Sequence, residues 1–492
     1  MKNKISRRSF LSTTATAAAA FTVIPSHAMG RVFGYQAPSD KLNIAIIGPG
    51  GMGGANMENV QDTENIVALC DVDWPKVENR FKKHPCKHPN AKRYSDYRKM
   101  YDEMKNIIDA VIVGCPDHNH AIIAADAITL GKHVFVQKPM THSVYESRLL
   151  TKLASKYKIA TQMGNQGSSG ASVRQICDWI WNGEIGEVKR VDIWTDRPIW
   201  PQGLNPPKQP QQVPDYLNWD LFIGPAKMIP YHEVYHPWTW RGWWNFGTGA
   251  LGDMACHLMH PTFKSLQLGY PTKVQGRSSL LLLDSAPISQ MVRYTFPART
   301  VPSITKVKFP EVEVYWYDGG LKPMLPKGWP DGKIMSSGGT IFHGDKDTLI
   351  FDRNPWLLSG RVPNPPKTQR EITVSHEMDW VRACKENPEN RTPTASNFNE
   401  AGPFNEMVVM GVLAVRLQGL SKELEWDGLN MKFTNIGNDE TIRMVLEDRF
   451  SIVDGDAVIN PIRTDPINAK AFAEELIKHT YREGWKLPDM PA

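Results

Sequence analysis

The segment most informative about architecture reads Leu42-Asn-Ile-Ala-Ile-Ile-Gly-Pro-Gly-Gly-Met-Gly53. Its first six residues form a short apolar run rich in β-branched side chains, which is typical of a buried strand in a parallel sheet. The next six have the spacing G-x-G-x-x-G, and the residues from Gly54 to Val60 are compatible with a helix. A glycine motif between a strand and a helix indicates a dinucleotide-binding turn, whereas the same motif alone is often an ordinary loop.

Each glycine of this motif has a physical reason. Gly48 permits the tight turn after the strand, Gly50 lets the backbone approach a pyrophosphate, and Gly53 allows the helix to pack closely on the strand. The helix N-terminus then offers free N–H groups and the positive end of its dipole to phosphate oxygens. We therefore predict a nucleotide site that contains the loop residues Gly48, Gly50, Gly51, Met52 and Gly53.

A second apolar strand, Ile66-Val-Ala-Leu-Cys70, ends directly at Asp71. This aspartate follows Gly48 by 23 residues, close to the spacing of the acid that binds the ribose hydroxyls in such folds. A carboxylate at this point would repel a 2′-phosphate. The sequence therefore predicts NAD as the cofactor in preference to NADP.

Strand-like and helix-like segments alternate from residue 42 to about residue 165, which predicts a Rossmann-type, doubly wound parallel sheet. Further strands are predicted at residues 110–113, 133–136 and 159–163, with helices at about 97–105, 121–130 and 143–157. Ligands of such sheets lie beyond the carboxyl ends of the strands. We therefore predict that the cofactor site also contains the residues found at those ends, namely Pro116, His118, His120, Lys138 and Asn165.

Three motifs of the first half resemble the Gfo/Idh/MocA oxidoreductase family. They are the glycine loop, Pro116-Asp-His-Asn-His120 and Val136-Gln-Lys-Pro139, the last of which corresponds to the family's Glu-Lys-Pro. The resemblance implies an α/β fold, with an N-terminal Rossmann domain followed by a C-terminal α/β domain built on an open, mostly antiparallel sheet. It also implies that the chain is an enzyme, an NAD-dependent oxidoreductase acting on CH–OH groups.

The second half is similar to the larger, secreted members of the same family. The segments that carry this resemblance are Asn218–Pro225, Trp240–His257 and, near the C-terminus, Tyr481–Trp485. The family's catalytic set is a lysine together with an Asp-x-x-x-His pair, and it is matched here by Lys138, Asp253 and His257. Residues four apart share one face of a helix, so the aspartate and the histidine can point into one cleft.

The resemblance implies a division of chemical roles. Oxidation of an alcohol needs a base for the hydroxyl proton while hydride leaves carbon, and a histidine suits that task near neutral pH. Lys138 can hydrogen-bond the same oxygen or relay the proton, and Asp253 can orient the imidazole or hold a neighbouring hydroxyl. Two positions depart from the family pattern: Gln137 replaces an acid beside the lysine, and His260 stands where relatives commonly have an aspartate.

Several assignments stay open at the level of sequence. His120 is either part of the cofactor pocket or the start of a capped helix. The tryptophans of Trp238-Thr-Trp-Arg-Gly-Trp-Trp244 either stack on a sugar ring or form core. Arg241, within that cluster, is a candidate for binding substrate hydroxyls.

The remaining chain is divided into two further regions. Residues 166–436 are predicted to form the substrate and oligomerisation domain, with a strand near 189–194 and a helix near 405–417. Residues 437–492 are predicted to form an insertion and a C-terminal segment, of which 437–466 could contact a partner subunit. A homo-oligomer is expected from the resemblance alone.

Composition narrows the classes of partner. Of 57 basic residues, four lie in residues 1–28, where there is no acid, so the rest of the chain holds 53 basic against 52 acidic residues. A nearly neutral body has no electrostatic footprint for nucleic acid. The six cysteines are scattered without a CxxC pair, and His84-Pro-Cys-Lys-His88 lacks further ligands nearby, so no metal site is predicted.

The segment 1–28 is predicted to be a twin-arginine signal peptide. A basic start containing Arg7 and Arg8 in Ser-Arg-Arg-Ser-Phe-Leu11 precedes a modest apolar stretch and the small-x-small site Ser26-His-Ala28. The alternative is an ordinary secretory signal that happens to contain two arginines. Either signal implies export, to the periplasm in the twin-arginine case, and no later stretch has the length of a membrane span.

Three functions are compatible with these residues. The first is a periplasmic NAD-dependent oxidoreductase that acts on a secondary alcohol of a sugar or glycoside and holds its cofactor tightly. The second is a glycosidase that uses NAD only transiently, through oxidation and elimination. The third is a catalytically silent sugar-binding protein, against which the intact set Lys138, Asp253 and His257 argues.

Overall fold

The computed structural model describes residues 40–300 and 305–491. The predicted signal peptide, residues 1–28, lies outside the described residues. Within them, no helix is long and apolar enough to cross a membrane.

The N-terminal half is a six-stranded parallel sheet with the strand order β3-β2-β1-β4-β5-β6. Its strands are β1 (Asn43–Ile47), β2 (Asn65–Cys70), β3 (Lys92–Tyr94), β4 (Ala110–Val113), β5 (His133–Val136) and β6 (Thr161–Met163). The order reverses direction at β1, and a ligand crevice forms at such a switch point. The predicted Rossmann-type sheet is confirmed. β3 was not predicted, because its three residues lie at the sheet edge and carry no apolar run.

Within the described part of the chain, five helices connect these strands. They are α1 (Met52–Val60), α2 (Trp74–Lys83), α3 (Tyr97–Met104), α4 (Asp117–Thr129) and α5 (Val144–Tyr157). Side-chain caps begin three of them: Asp73 accepts from the N–H of Lys76, Asp96 from that of Arg98, and Ser143 forms a capping box with Glu146. Helix α1 begins after Gly51 without any side-chain cap, so its first N–H groups are free for a ligand.

The C-terminal half is built on a nine-stranded open sheet in the order β13-β12-β11-β7-β10-β9-β8-β14-β15. The strands are β7 (Val188–Thr195), β8 (Lys273–Ser278), β9 (Gln290–Phe296), β10 (Val312–Tyr317), β11 (Gly338–Gly344), β12 (Thr348–Phe351), β13 (Pro355–Leu357), β14 (Leu424–Asp427) and β15 (Lys432–Phe433). Among the described strands of this sheet, β7 and β10 form the single parallel pair. The expected open, mostly antiparallel sheet is therefore confirmed.

Seven helices of the described residues belong to the second half of the chain. They are α6 (Ala171–Trp181), α7 (Trp219–Ile223), α8 (Gly249–Leu258), α9 (His260–Ser265), α10 (His376–Cys384), α11 (Phe398–Arg416) and α12 (Ala469–Ile477). The long helix α11 packs on α5 of the first half and on β8 and α8 of the second. One continuous apolar core therefore spans both halves.

Helix α10 packs on the N-terminal sheet, although it is distant from that sheet in the chain. Seven of the described strands of the second sheet, β7 to β13, lie between β6 and α10. Trp380, Val381 and Ala383 are buried against strand residues of the N-terminal sheet, with the Trp380 ring 5.7 Å from the ring of Phe135. This helix covers one face of the parallel sheet, which must be buried on both sides.

An aromatic segment without strands, residues 217–246, includes α7 and continues to the loop before α8. Its buried side chains form a separate cluster, with members Leu217, Trp219, Phe222, Ile223, Tyr231, Tyr235, Trp240, Trp243 and Phe246. It is joined to the N-terminal half by a backbone bridge between Asp73 and Leu217 and by the buried ring of His118 between Phe222 and Phe246.

Residues 441–468 form three short antiparallel pairs beyond the main sheet. They pair β16 (Thr441–Ile442) with β21 (Ile467–Asn468), β17 (Val445–Glu447) with β20 (Ile462–Arg463), and β18 (Phe450–Val453) with β19 (Asp456–Ile459). Every residue of the β18–β19 pair is exposed. The expectation that residues 437–466 contact a partner subunit stays a prediction.

Candidate active site

A cavity of about 410 Å³ runs from the glycine loop to the junction of the two halves. The N-terminal half, the aromatic segment, Asp253 of α8 and Trp485 near the C-terminus all contribute to its wall. The predicted site residues on this wall are Gly48, Gly50, Gly51, Met52, Asp71, Pro116, Lys138 and Asp253.

The glycine loop has the geometry of a phosphate cradle. Gly48 has φ +80°, and a Cβ there would lie 2.6 Å from the carbonyl carbon of Gly114. A Cβ on Gly53 would lie 2.6 Å from the Gly48 oxygen, so the helix could not pack as closely on the strand. With free N–H groups at the start of α1, these residues fit a dinucleotide pyrophosphate.

Asp71 lies at the end of the cavity beyond the loop. Its Oδ2 accepts a hydrogen bond from the N–H of Gly50 at 3.2 Å and its Oδ1 accepts one from the N–H of Asp73 at 3.0 Å. Burial raises the pKa of the Asp71 carboxyl, against the effect of these two hydrogen bonds and of the nearby Lys76 ammonium. The carboxylate thus stands where ribose hydroxyls would be bound in a fold of this type.

Lys138 occupies the opposite end of the cavity, at the junction of the two halves. Its Nζ donates to the main-chain oxygen of Asp253 at 2.8 Å and lies 3.0 Å from Oδ1 of the same residue. Burial alone would raise the pKa of Asp253, but the positive charges of Lys138 and Arg241 hold it below its usual range. Asp253 is therefore ionised and fixes the lysine ammonium in the cavity.

Arg241 forms the second cationic partner of this carboxylate. Its Nε lies 3.2 Å from Oδ1 of Asp253. Its guanidinium carbon lies 4.2 Å from the ring centroid of Trp238 and 4.4 Å from that of Trp240. The arginine is thus held by two aromatic faces and one carboxylate.

The tryptophan cluster divides between the two roles left open by the sequence. Trp243 and Trp244 are 2% and 4% exposed and are core, whereas Trp240, 8% exposed, packs in the aromatic cluster and also lines the cavity. Trp238 is 55% exposed and lines the cavity, so its ring presents an aromatic surface at the cavity mouth.

His257 lies one helical turn after Asp253 on α8. Burial, followed by the positive charge of Lys138, lowers the pKa of its imidazole to about 4. Within the described residues its ring has no hydrogen-bond partner. The ring is therefore neutral at pH 7 and able to accept a proton.

Three predicted cofactor residues have side chains bonded to the protein itself. The ring of His118 contacts the carbonyls of Phe246 and Phe222 at 3.1 and 2.9 Å, and His120 contacts those of Pro139 and Cys115 at 2.8 and 2.7 Å. The Asn165 amide donates to Cys256, while its buried Oδ1 has no partner in the described residues. Their side chains, like that of His257, lie off the cavity wall, and burial lowers the pKa of both histidines to about 4.

Asp117 is a cavity residue that the sequence analysis missed. Its Oδ2 accepts from both the N–H and the hydroxyl of Thr248, at 3.2 and 2.8 Å. Burial raises the pKa of this carboxyl to about 7. Its place at the carboxyl end of β4, beside His118, was the signal that could have identified it.

The two departures from the family pattern have defined contacts. Gln137 donates through Nε2 to Asn56 at 2.8 Å, and Asn56 donates through Nδ2 to Glu377 of α10 at 2.7 Å. His260 lies with Nε2 2.7 Å from Glu400, which Lys264 also contacts. Neither side chain bonds directly to Lys138 or Asp253.

The segment His84-Pro-Cys-Lys-His88, which was considered for metal binding above, contacts the protein itself. His88 contacts the carbonyl of Gln61 at 2.9 Å, and Cys86 is a free thiol. The described residues contain no cluster of three or more side chains able to hold a metal ion.

A glycine cradle, an acid at the end of the second strand and a lysine at the junction of the two halves line one cavity, which is the arrangement of a dinucleotide site next to a substrate site. Comparison with known families agrees. Residues 42–165 match the Gfo/Idh/MocA model for the NAD-binding Rossmann fold of an oxidoreductase family, and residues 194–277 match that family's C-terminal α/β domain. The chain thus contains the two domains of the Gfo/Idh/MocA oxidoreductase family, an NAD-binding domain over residues 42–165 and the family's C-terminal α/β domain over residues 194–277.

Individual relatives are more distant. A glycosyl hydrolase family 109 protein of Akkermansia muciniphila is 29% identical over 180 residues, 34% of this chain and 36% of the relative. An inositol 2-dehydrogenase of Salmonella typhimurium is 25% identical over 150 residues, 30% of this chain and 43% of the relative. The matches thus span less than half of either relative.

Solved structures extend the likeness over most of the fold. The WlbA dehydrogenase of Bordetella pertussis, crystallised with NADH and UDP-GlcNAcA, superposes with a TM-score of 0.51. It covers 79% of this chain and 99% of its own, at 14% identity. At that identity the likeness concerns the fold alone.

Proposed function

We propose that this protein is an NAD-dependent oxidoreductase that oxidises or reduces a secondary alcohol of a sugar or glycoside. The observation that carries the proposal is the Lys138 ammonium, fixed by Asp253 at the end of a cavity whose other end is the glycine loop. Two oxygens of Asp253 fix the direction of the lysine ammonium. It is therefore suited to bind an oxygen on which negative charge develops.

The residues of the site divide the chemistry. The bound nicotinamide supplies the acceptor or donor of hydride. The Lys138 ammonium donates a hydrogen bond to the reacting oxygen and stabilises the negative charge that develops there, and the neutral His257, whose ring lies behind the cavity wall near the Lys138 charge, is the base to which the hydroxyl proton is passed. Asp253 positions the lysine and keeps a negative charge between two cations.

Support for a sugar-type substrate comes from the mouth of the cavity. The exposed ring of Trp238 offers a flat apolar surface of the kind on which sugar rings stack. Arg241, beside it, carries N–H donors for hydroxyl groups. One relative carries the name inositol 2-dehydrogenase, and inositol is a ring whose carbons bear hydroxyl groups.

The second candidate is a glycosidase that uses NAD transiently. Relatives from Akkermansia muciniphila, Solibacter usitatus and a Shewanella strain all carry the name glycosyl hydrolase family 109. In that reaction, oxidation at carbon 3 acidifies the proton on the adjacent carbon. Loss of that proton expels the aglycone, water adds in its place, and the hydride returns to carbon 3. The net reaction is hydrolysis of the glycoside without net oxidation.

Export supports a tightly held cofactor. We propose that residues 1–28 direct the folded protein to the periplasm, on the basis of Arg7 and Arg8 in their signal-like context. Free NAD is scarce there, so the cofactor would leave the cytoplasm inside the protein. Conversion of both arginines to lysine should retain the protein in the cytoplasmic fraction, whereas a Lys2→Ala, Lys4→Ala variant should still be exported.

The two reactions are separated by one experiment. The protein is purified without added cofactor and incubated with a panel of glycosides, while NADH absorbance, keto-sugar formation and aglycone release are followed. Stoichiometric NADH with a keto-sugar supports the oxidoreductase, and aglycone release without net NADH supports the glycosidase. Sugar binding without either product, unchanged in Lys138→Ala, would refute both.

A further inference from the structure

A second cavity, of about 190 Å³, is lined by none of the active-site residues. It is formed where the C-terminal end of α11 meets the paired strands β17 and β20. Its charged lining residues are three arginines, Arg416, Arg443 and Arg463. The other side chains are mainly aliphatic, from Leu280, Leu281, Ile442, Met444 and Val445.

Arg416 is the deepest of the three arginines. Its Nε is buried without a hydrogen-bond partner, and the described residues provide no hydrogen bond or ion pair to any part of its guanidinium. Its guanidinium carbon lies 5.4 Å from the ring centroid of Trp244 and 5.2 Å from that of Phe472. Burial lowers the pKa of Arg416 to about 10, so the group still carries its charge at neutral pH.

The carboxylates nearest to Arg416 do not neutralise it directly. Asp284 and Glu475 act on it only through space, and neither forms an ion pair with it among the described residues. Glu475 accepts hydrogen bonds from Thr480 instead. A buried charge without a hydrogen-bonded partner is costly, and this cost points to a ligand that would remove it.

Arg443 lies just before β17 and Arg463 belongs to β20, and these two strands are joined by the pair Val445–Arg463. Within the described residues, neither side chain forms a hydrogen bond or ion pair. The amide of Gln418, also on the wall, is occupied by Ser278 on both sides, at 3.0 and 2.6 Å. Among the described side chains on this wall, the nitrogen donors without a hydrogen-bond partner are therefore those of the three arginines.

We infer that this cavity binds a tetrahedral oxyanion, a phosphate or sulfate group. Guanidinium groups present N–H donors in a planar fork that matches phosphate oxygens, and three positive charges in one small cavity favour a dianion over a single carboxylate. The bound anion would give the Arg416 guanidinium the hydrogen-bonded partner that the described residues do not provide. The same chemistry is offered by a free ion and by a phosphate or sulfate ester on a sugar.

The test uses the full chain and titrates it calorimetrically with inorganic phosphate, inorganic sulfate, glucose 6-phosphate and acetate. We expect saturable binding of the tetrahedral anions, and none of acetate at the same ionic strength. An ester that binds at least as well as inorganic phosphate identifies the ester as the ligand, and weaker binding identifies the free ion. No saturable heat with any of the three tetrahedral anions would overturn the inference.

Substitutions test whether the measured heat of anion binding arises at this cavity. The double variant Arg443→Gln, Arg463→Gln removes two exposed charges without touching the core, and it should weaken phosphate binding at least about tenfold. Arg416→Lys keeps a buried charge but loses the fork, and it should also weaken binding. The matched control is Arg449→Gln, which lies in the same segment of short strand pairs, residues 441–468. The Arg449 guanidinium pairs with Glu447, and neither residue lines the cavity. Equal phosphate binding in the double variant and the control would refute the site.

Discussion

The ammonium group of Lys138 is bound by two different oxygens of Asp253, the main-chain carbonyl at 2.8 Å and Oδ1 at 3.0 Å. Lys138 follows the fifth strand of the N-terminal sheet, whereas Asp253 belongs to a helix of the second half. One residue pair therefore closes the junction between the halves. The position of the lysine in the cavity depends on how the halves pack.

Replacement of Lys138 by alanine should lower turnover by at least about 10²-fold, because it removes the charge that acts on the reacting oxygen. Affinity for NAD should change much less, since the pyrophosphate is bound at the glycine loop. His257→Ala should act similarly, and the double variant should lose less than the product of both effects. Steady-state kinetics and a separate NAD titration check this, with the exposed Lys189→Ala as control. Near-normal turnover in the double variant would place the chemistry elsewhere.

The imidazole of His257 should titrate near pH 4 in the folded protein, well below its ordinary value, because burial and the adjacent Lys138 charge both disfavour its protonation. A base works in its neutral form. Acid inactivation due to this group should therefore appear only as the pH falls toward 4. NMR titration of the ring measures the pKa, and Lys138→Met should raise it. A ring that titrates at its ordinary value in the native protein would contradict the environment described for it.

Trp238 and Trp243 should respond differently to truncation. Trp238→Ala removes an exposed ring at the cavity mouth and should raise KM roughly 2- to 10-fold with little change in kcat. Trp243→Ala empties a buried site and should lower the free energy of unfolding by about 3–5 kcal/mol. Urea denaturation and steady-state kinetics distinguish the two effects. Trp238→Phe should restore most of the KM, and an unchanged KM in Trp238→Ala would exclude a role in substrate binding.

Asp71 should determine the choice between NAD and NADP. Asp71→Ala removes a hydrogen-bond acceptor for ribose hydroxyls and should weaken NAD binding by about 10- to 100-fold. It also removes the charge that repels a 2′-phosphate and leaves the Lys76 ammonium on the same cavity wall, so NADP binding should improve. Fluorescence titration with both cofactors checks this, with Asp62→Ala on the surface as control. A native preference for NADP would contradict the assignment.

Local patterns of the sequence were sufficient for the parts of the fold that are continuous in the chain. The strand ending at Ile47, its glycine loop and Asp71 follow one another closely, and each has a local signature. The placement of Lys138 beside Asp253 came from the family resemblance. In contrast, helix α10 covers the N-terminal sheet from a distant part of the chain, and no local pattern indicates such a partner.

The same limit applied to individual side chains. His118 and His120 lie at the carboxyl end of a strand, as predicted, but their rings bond to main-chain carbonyls that only the folded chain brings near. The pairing of Arg241 with Asp253 likewise depends on how the aromatic segment folds over α8. Position along a strand predicts the neighbourhood of a residue, whereas its partners depend on tertiary packing.

The buried chain Gln137–Asn56–Glu377 makes a final prediction. The three side chains are 4%, 1% and 2% exposed, and the amide of Asn56 accepts from Gln137 while it donates to Glu377. Gln137→Glu, which restores the family's acid, would place a carboxylate against the Asn56 oxygen. If Asn56 turned to donate to the new acid, Glu377 would lose its donor.

We therefore expect Gln137→Glu to lower the free energy of unfolding by about 2–4 kcal/mol, since one buried carboxylate is left unpaired. The second substitution Glu377→Gln should recover most of the lost stability. The new glutamine can donate to Asn56, Asn56 can then donate to the new glutamate, and only one of the three side chains is an acid. Urea denaturation of the wild type, both single variants and the double variant gives the coupling energy. Additive effects of the two substitutions, or a Gln137→Glu variant as stable as the wild type, would show that the two hydrogen bonds of Asn56 do not determine which of the two positions carries the acid.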